Sequence, residues 1–151
     1  MTEKFTQLLP EIAQTKPVVS DDETICWEAY DKSGSLIGYA FDAVVPEAAA
    51  DIEETQEMDK YQILCVVDPK EYKVTAVNIS IHPDSPEEVW AESITEPEFS
   101  KQYIGLTGDD IDLSPYGKID AITEATLSST WVTDAIRRRI EEIVKITRAA
   151  P

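Results

Sequence analysis

Apolar residues at Val132, Ile136, Ile140, Ile143 and Val144 recur at three- and four-residue steps and lay one stripe along a helix. The spacing predicts a long closing helix over about 129–147. Upstream the period shortens to two. Residues 25–30 and 36–45 read as strands around the turn-rich stretch 31–35, a hairpin in which Ile37, Tyr39, Phe41, Ala43 and Val45 alternate onto one face. Asp42 falls on the other face beside Gly38 and Ala40, which leave room for something to approach. Residues 61–67 contain Ile-Leu-Cys-Val-Val, the continuous apolar run of a central strand covered on both sides. After a turn at 68–71, residues 72–81 return with Thr75, Val77, Ile79 and Ile81 on one face.

Phe5, Leu8, Leu9 and Ile12 have helical spacing, and Pro17 stops whatever starts there. The acidic stretch 46–60 reads as a solvated loop or short helix. Ser85 with Glu88 has the form of a capping box, with Pro86 at the first helical position, opening a short helix through Trp90. Together these elements predict a single α+β domain: an antiparallel sheet of at least four strands flanked by helices, with residues 1–20 as an N-terminal helix and lead-in and 21–151 as the body.

Composition fits that picture. At 151 residues, with 42% hydrophobic and 28% charged positions, the chain is long enough to bury a proper core. The 30 acidic against 13 basic residues give a formal charge of -17, which argues against nucleic acid or an anionic membrane surface as partner and favours a basic protein surface or solubility in high salt. No run of about 18 apolar residues occurs, so no direct membrane insertion by this chain is expected, and no signal peptide follows Met1. Cys26 and Cys65 lie in strand-like surroundings and read as buried free thiols, with a disulfide as the alternative for an exported domain.

The candidate chemistry lies just ahead of the long helix. Thr123, Thr126, Ser128, Ser129 and Thr130 place five hydroxyls within eight residues. A helix start leaves backbone N–H groups without partners and carries the positive end of the helix dipole, which suits a phosphate. Ser and Thr are also ordinary N-caps, but capping uses one or two, not five. The run Asp120-Ala121-Ile122-Thr123-Glu124-Ala125-Thr126, followed by Leu127-Ser128-Ser129, resembles the flavinylation motif D-x-x-[S/T]-G-A-T of FMN-binding domains. That RnfG/NqrC-like family takes in flavin-bearing subunits of the Rnf complex and of the sodium-pumping NADH:quinone oxidoreductase.

The resemblance implies an FMN cofactor joined through its phosphate to the hydroxyl of Thr126. Asp120, Thr123 and Ala125 match the motif. Thr123, Ser128 and Ser129, with the N–H groups of Leu127 to Ser129, are implied to bind the phosphate oxygens. It further implies an electron relay rather than a stand-alone enzyme. The partners would be redox proteins or membrane complex subunits together with a separate flavin transferase, and the domain would be anchored at a membrane, facing away from the cytoplasm, with a soluble relative of the family as the alternative. Two departures stand out: Glu124 replaces the usual Gly, and Pro83-Asp84-Ser85-Pro86 replaces the family's glycine loop near the flavin. Residues 97–106 look like the family's next helix and its aromatic-x-Gly exit. Those departures keep a second reading open, an interaction or binding module of the same fold without flavin.

Other chemistry is weaker. Asp109, Asp110 and Asp112 suggest a calcium loop, but an EF-hand starting at Asp110 would need Gly at the sixth place and Glu at the twelfth, where Pro115 and Ala121 stand. They read as solvated surface. His82 with either cysteine reads as structural rather than nucleophilic. Trp27, Trp90, Trp131 and Tyr103 read as core, with Trp131 the best candidate to pack on a flavin ring.

Overall fold

Two aspartate side chains fix the turns that bring the strands together. Asp31 accepts the backbone N–H groups of Ser33 at 2.9 Å and Ser35 at 3.0 Å, and Gly34 takes the positive φ of 84° that closes the turn. Asp68 does the same for the next hairpin, accepting from Lys70, Glu71 and Lys73 at 2.7 to 3.0 Å. Burial opposes ionisation of Asp68, but those amides outweigh it and hold its carboxyl below the usual range. The computed structural model describes residues 2–46, 60–85, 92–123 and 125–149. Most of the acidic stretch 46–60, and the predicted helix through Trp90, lie outside these residues.

The sheet has five antiparallel strands in sequential order: β1 Gln14–Ser20, β2 Glu23–Tyr30, β3 Leu36–Val45, β4 Tyr61–Val67 and β5 Val74–Ile81. Among the described residues, the helices are α1 Thr2–Leu8, α2 Pro97–Ser100 and α3 Thr126–Ala149, the last 24 residues long. The α+β domain with at least four antiparallel strands and a long C-terminal helix is therefore what forms. The fifth strand, β1, lies in the lead-in that follows the N-terminal helix. Pro17 does not stop the chain there; it sits within an edge strand, opposite Trp27, where only one side of the backbone needs ladder bonds.

Two alternations predicted from the sequence are broken by β-bulges. Ala29 pairs with Gly38 and Tyr30 with Leu36, so Ile37 is the extra residue and packs with Phe5 and Ile12 on the opposite face from Tyr39 and Phe41. Val66 pairs with Ala76 and Val67 with Val74, so Thr75 is extra and exposed, its hydroxyl donating to the Val66 carbonyl at 3.2 Å.

One face of the sheet carries the main core. Its Tyr39, Phe41, Ile63, Cys65 and Ile79 meet Val132, Ile136, Ile140 and Ile143 of α3, each at most 2% exposed apart from Tyr39 at 9%. The other face is covered by α1, whose Phe5 rests among Ala29, Ala40, Val66 and Ala76. The room expected beside Gly38 and Ala40 is thus taken by the chain itself: a side chain at Gly38 would lie 2.7 Å from the Val67 carbonyl oxygen, and Asp42 reaches Lys4 of α1 at 3.5 Å. Among the described residues, no helix is long and apolar enough to cross a membrane.

The register also decides the cysteines. Cys65 on β4 pairs with Phe41 on β3, and Trp27, next to Cys26 on β2, pairs with Ala40. A whole strand separates the thiols. Two interstrand spacings amount to about 9.5 Å, beyond the roughly 7 Å that a disulfide spans. Both thiols are free and fully buried; burial, and secondly Glu28, pushes Cys26 up to about 12, and burial pushes Cys65 higher still. An aromatic disulfide reagent is therefore expected to titrate no thiol in the native protein and both in denaturant. Fast reaction of either in the native state would contradict this packing.

Candidate functional site

The site is the six-residue approach to α3, residues 120–125, and the first turn of that helix. Ahead of it, the loop after β5 closes on itself. Ile119 is fully buried, its N–H donates to the Asp112 carbonyl at 3.0 Å, and its carbonyl accepts from Ser114 at 2.8 Å. Gly117 makes this closure possible, since a Cβ there would stand 2.4 Å from the Asp112 carbonyl oxygen. Of the aspartates expected as solvated surface, Asp109 is exposed, and the other two form ion pairs at the surface. Asp110 meets Lys118 at 3.6 Å, and Asp112 meets Arg137 at 3.4 Å, while Arg137 also holds Asp134 at 2.8 Å.

The chain then enters the motif. Gln102, in the 3-10 turn Lys101–Tyr103, clamps the backbone of Asp120 from both sides: its Oε1 accepts the Asp120 N–H at 2.7 Å and its Nε2 donates to the Asp120 carbonyl at 3.2 Å. The Asp120 carboxylate itself is exposed. Ile122 is half-buried against the core, Thr123 is exposed, and Ala125 is 7% exposed, its N–H donating to the Ile122 carbonyl at 2.9 Å.

Helix α3 begins at Thr126, three residues before the predicted start. The hydroxyls that suggested caps are used differently. Ser129 is 0% exposed; its Oγ accepts from the Ile122 N–H at 3.1 Å and donates to the Ala125 carbonyl at 2.8 Å, and its own N–H also donates to Ala125 at 2.9 Å. Thr130 donates back to the Thr126 carbonyl at 2.8 Å. Such back-bonding lets Ser and Thr continue a helix that their propensity would otherwise start or end.

The predicted site residues therefore divide. Thr126 is exposed at the first helical position, and its hydroxyl has no partner among the described residues. The N–H groups of Thr126, Leu127 and Ser128 likewise have no acceptor among them, as expected for a first turn without a side-chain cap. Leu127 is 55% exposed, and Ser128 is half-buried with the Tyr61 hydroxyl 3.4 Å from its Oγ. Ser129 departs from its expected role: both its N–H and its hydroxyl already serve the loop, so it shapes the site rather than offering groups to a ligand. Sequence reading missed Gln102 and Tyr61. Neither carries a local signal, since each reaches the site from 18 or more residues away.

The aromatic candidates also separate. Trp27 lies on the α1 face, its ring 5.7 Å from Phe5. Tyr103 is fully buried, with its hydroxyl 2.8 Å from that of Thr133 and Phe99 set edge-on at 5.7 Å. Both are core. Trp131 is half-buried against the main core one turn beyond the site, and Trp90 lies outside the described residues. His82 accepts the Asp84 N–H at 3.1 Å through Nδ1, and with both thiols sealed in the core it has no accessible cysteine to activate.

What this arrangement can do chemically is narrow. It presents the unpartnered hydroxyl of Thr126 at the positive end of a long dipole, next to amides able to receive anionic oxygens.

No protein-family profile matches the chain, and no solved structure matches it. A curated relative does: the chain is 26% identical over 149 residues to the G subunit of the ion-translocating oxidoreductase complex of Methanosarcina acetivorans, a match that spans 93% of this chain and 73% of the relative. Along nearly its whole length, the chain is similar to a subunit of an ion-translocating oxidoreductase complex.

Proposed function

We propose that this protein is an FMN-carrying electron-transfer domain working with the subunits of an Rnf-like membrane oxidoreductase complex, its flavin held through the phosphate by the hydroxyl of Thr126. The observation that carries the reading is the exposure of that hydroxyl at the first residue of α3, within Asp120-x-x-Thr123-x-Ala125-Thr126. The relative named as an oxidoreductase subunit supports the same reading. Bound there, a flavin supplies reversible uptake and release of one or two electrons.

The chain's own residues explain why the link would be covalent. An exposed helix dipole favours an anion by only about 0.3 to 1 kcal/mol. A carboxylate about 4 Å from a phosphate opposes it by about 1 kcal/mol in water and about 4 kcal/mol in a half-shielded site, and Glu124 stands two positions before Thr126 in the sequence. With a net charge of -17 besides, reversible binding would be weak. A bond to Thr126 makes retention independent of that balance. The N–H groups of Leu127 and Ser128 and the hydroxyl of Thr123 receive the phosphate oxygens, and Ser129 holds the loop that brings them together.

Since a free phosphate monoester does not condense with an alcohol in water unaided, the donor is an activated flavin dinucleotide. The Thr126 oxygen forms the new P–O bond, the pyrophosphate P–O bond breaks, the nucleoside monophosphate leaves with that electron pair, and the hydroxyl proton passes to a base or to water. Co-expression with a flavin transferase tests the proposal by visible absorption and intact mass. A gain of one FMN less one water is expected; an unchanged mass, with the transferase active on a control acceptor, would favour the interaction module without flavin. Glu124→Gly is expected to speed attachment about fivefold at low ionic strength, as removal of about 1 kcal/mol of repulsion predicts, with the gain shrinking in high salt. An equal or slower initial rate would show that the carboxylate does not oppose the donor.

A further inference from the structure

We propose that Gln102, 18 residues before the motif, is a positioning residue for modification of Thr126, because it holds the acceptor loop in the shape in which the hydroxyl is presented. This rests on the reading of Thr126 as the flavin attachment point. The loop has little else to fix it. Asp120, Ala121, Thr123 and Thr126 are exposed, and only Ile122 and Ala125 contribute apolar anchoring. Two side chains do the rest: Ser129 at the helix end, and Gln102 at the entry, where it binds both backbone groups of Asp120.

Gln102 is itself held firmly. Its neighbour Tyr103 is fully buried, bonded to Thr133 of α3 at 2.8 Å and packed edge-on by Phe99. The clamp therefore links the entry of the loop, through Tyr103, to the same helix that begins at its exit. For the phosphoryl transfer described above, the acceptor oxygen must lie in line with the breaking P–O bond. A loop that already holds that oxygen in place avoids the ordering that a free segment must undergo, and small misplacements of reacting groups carry large rate losses.

The test uses purified flavin-free protein, a flavin transferase and a flavin dinucleotide, with attachment followed by intact mass. Gln102→Ala is expected to lower kcat/KM for the protein acceptor about tenfold. Amide exchange at Asp120 should quicken while the melting temperature stays within a few degrees of wild type. Gln102→Glu keeps the side-chain volume and the acceptor but cannot donate to the Asp120 carbonyl; it is expected to slow attachment too, and it carries the test if the alanine variant does not fold. A linear peptide of residues 118–131 is expected to be a poor acceptor. Wild-type protein that gains no flavin would sink the attachment reading and this inference with it. Modified wild type, with Gln102→Ala or the free peptide reacting as fast as the folded domain, would overturn the positioning role alone.

Discussion

Thr126→Ala is expected to carry no flavin when co-expressed with a flavin transferase, whatever the expression level or incubation time. The substitution removes the oxygen that would form the ester, so the effect is all or none. It should leave the fold alone. The Thr126 side chain is exposed and its hydroxyl is unpartnered among the described residues, and Ala is the better helix former by up to about 0.7 kcal/mol. Equal or slightly raised melting temperature, together with a colourless protein of unmodified mass, is the expected pair of readings. Thr126→Ser keeps an oxygen at the same place and should still be modified.

The largest effect on stability is expected at Phe41→Ala. Phe41 is 0% exposed at the centre of the main core, beside Cys65 on the next strand, with the Arg139 guanidinium 5.8 Å from its ring. Arg139 also donates to the Ile25 carbonyl of β2 at 2.9 Å, which ties α3 to the sheet beside Phe41. Truncation leaves a cavity that strands on both sides cannot fill, at a cost of about 3 to 5 kcal/mol. For a domain of this size that is a large share of a total stability of roughly 5 to 15 kcal/mol, and it lowers the melting temperature by about 6 to 20 °C. Chemical denaturation should show the same loss at an unchanged slope. A loss under about 1 kcal/mol, the size of an ordinary surface change, would mean that α3 does not seat on β3 as described.

The sequence pattern made legible whatever repeats along one element. The stripe from Val132 to Ile143 predicts α3, and alternation or unbroken apolarity predicts β2 to β5. It is blind to what depends on a partner strand. Ile37 and Thr75 look regular in their own strands and become bulges only because their neighbours pair with fewer residues. Pro17 looks like a stop because its tolerance at an edge depends on where the sheet ends. The hydroxyl cluster points to the start of α3, yet only the fold distinguishes the exposed Thr126 from the enclosed Ser129, two hydroxyls three positions apart. Gln102 cannot be found at all from the motif, since its role comes from a contact closed by the core around Tyr103.

The most direct test of flavin attachment at Thr126 is peptide mapping of the protein after exposure to a flavin transferase and a flavin dinucleotide. Cleavage after Lys118 and Arg137 releases residues 119–137, which contain Thr123, Thr126, Ser128, Ser129 and Thr130 on one fragment. Fragment ions that place one FMN, less one water, on Thr126 are the predicted result; flavin on another hydroxyl of this peptide, or a peptide that stays unmodified while a control acceptor is labelled, would contradict it.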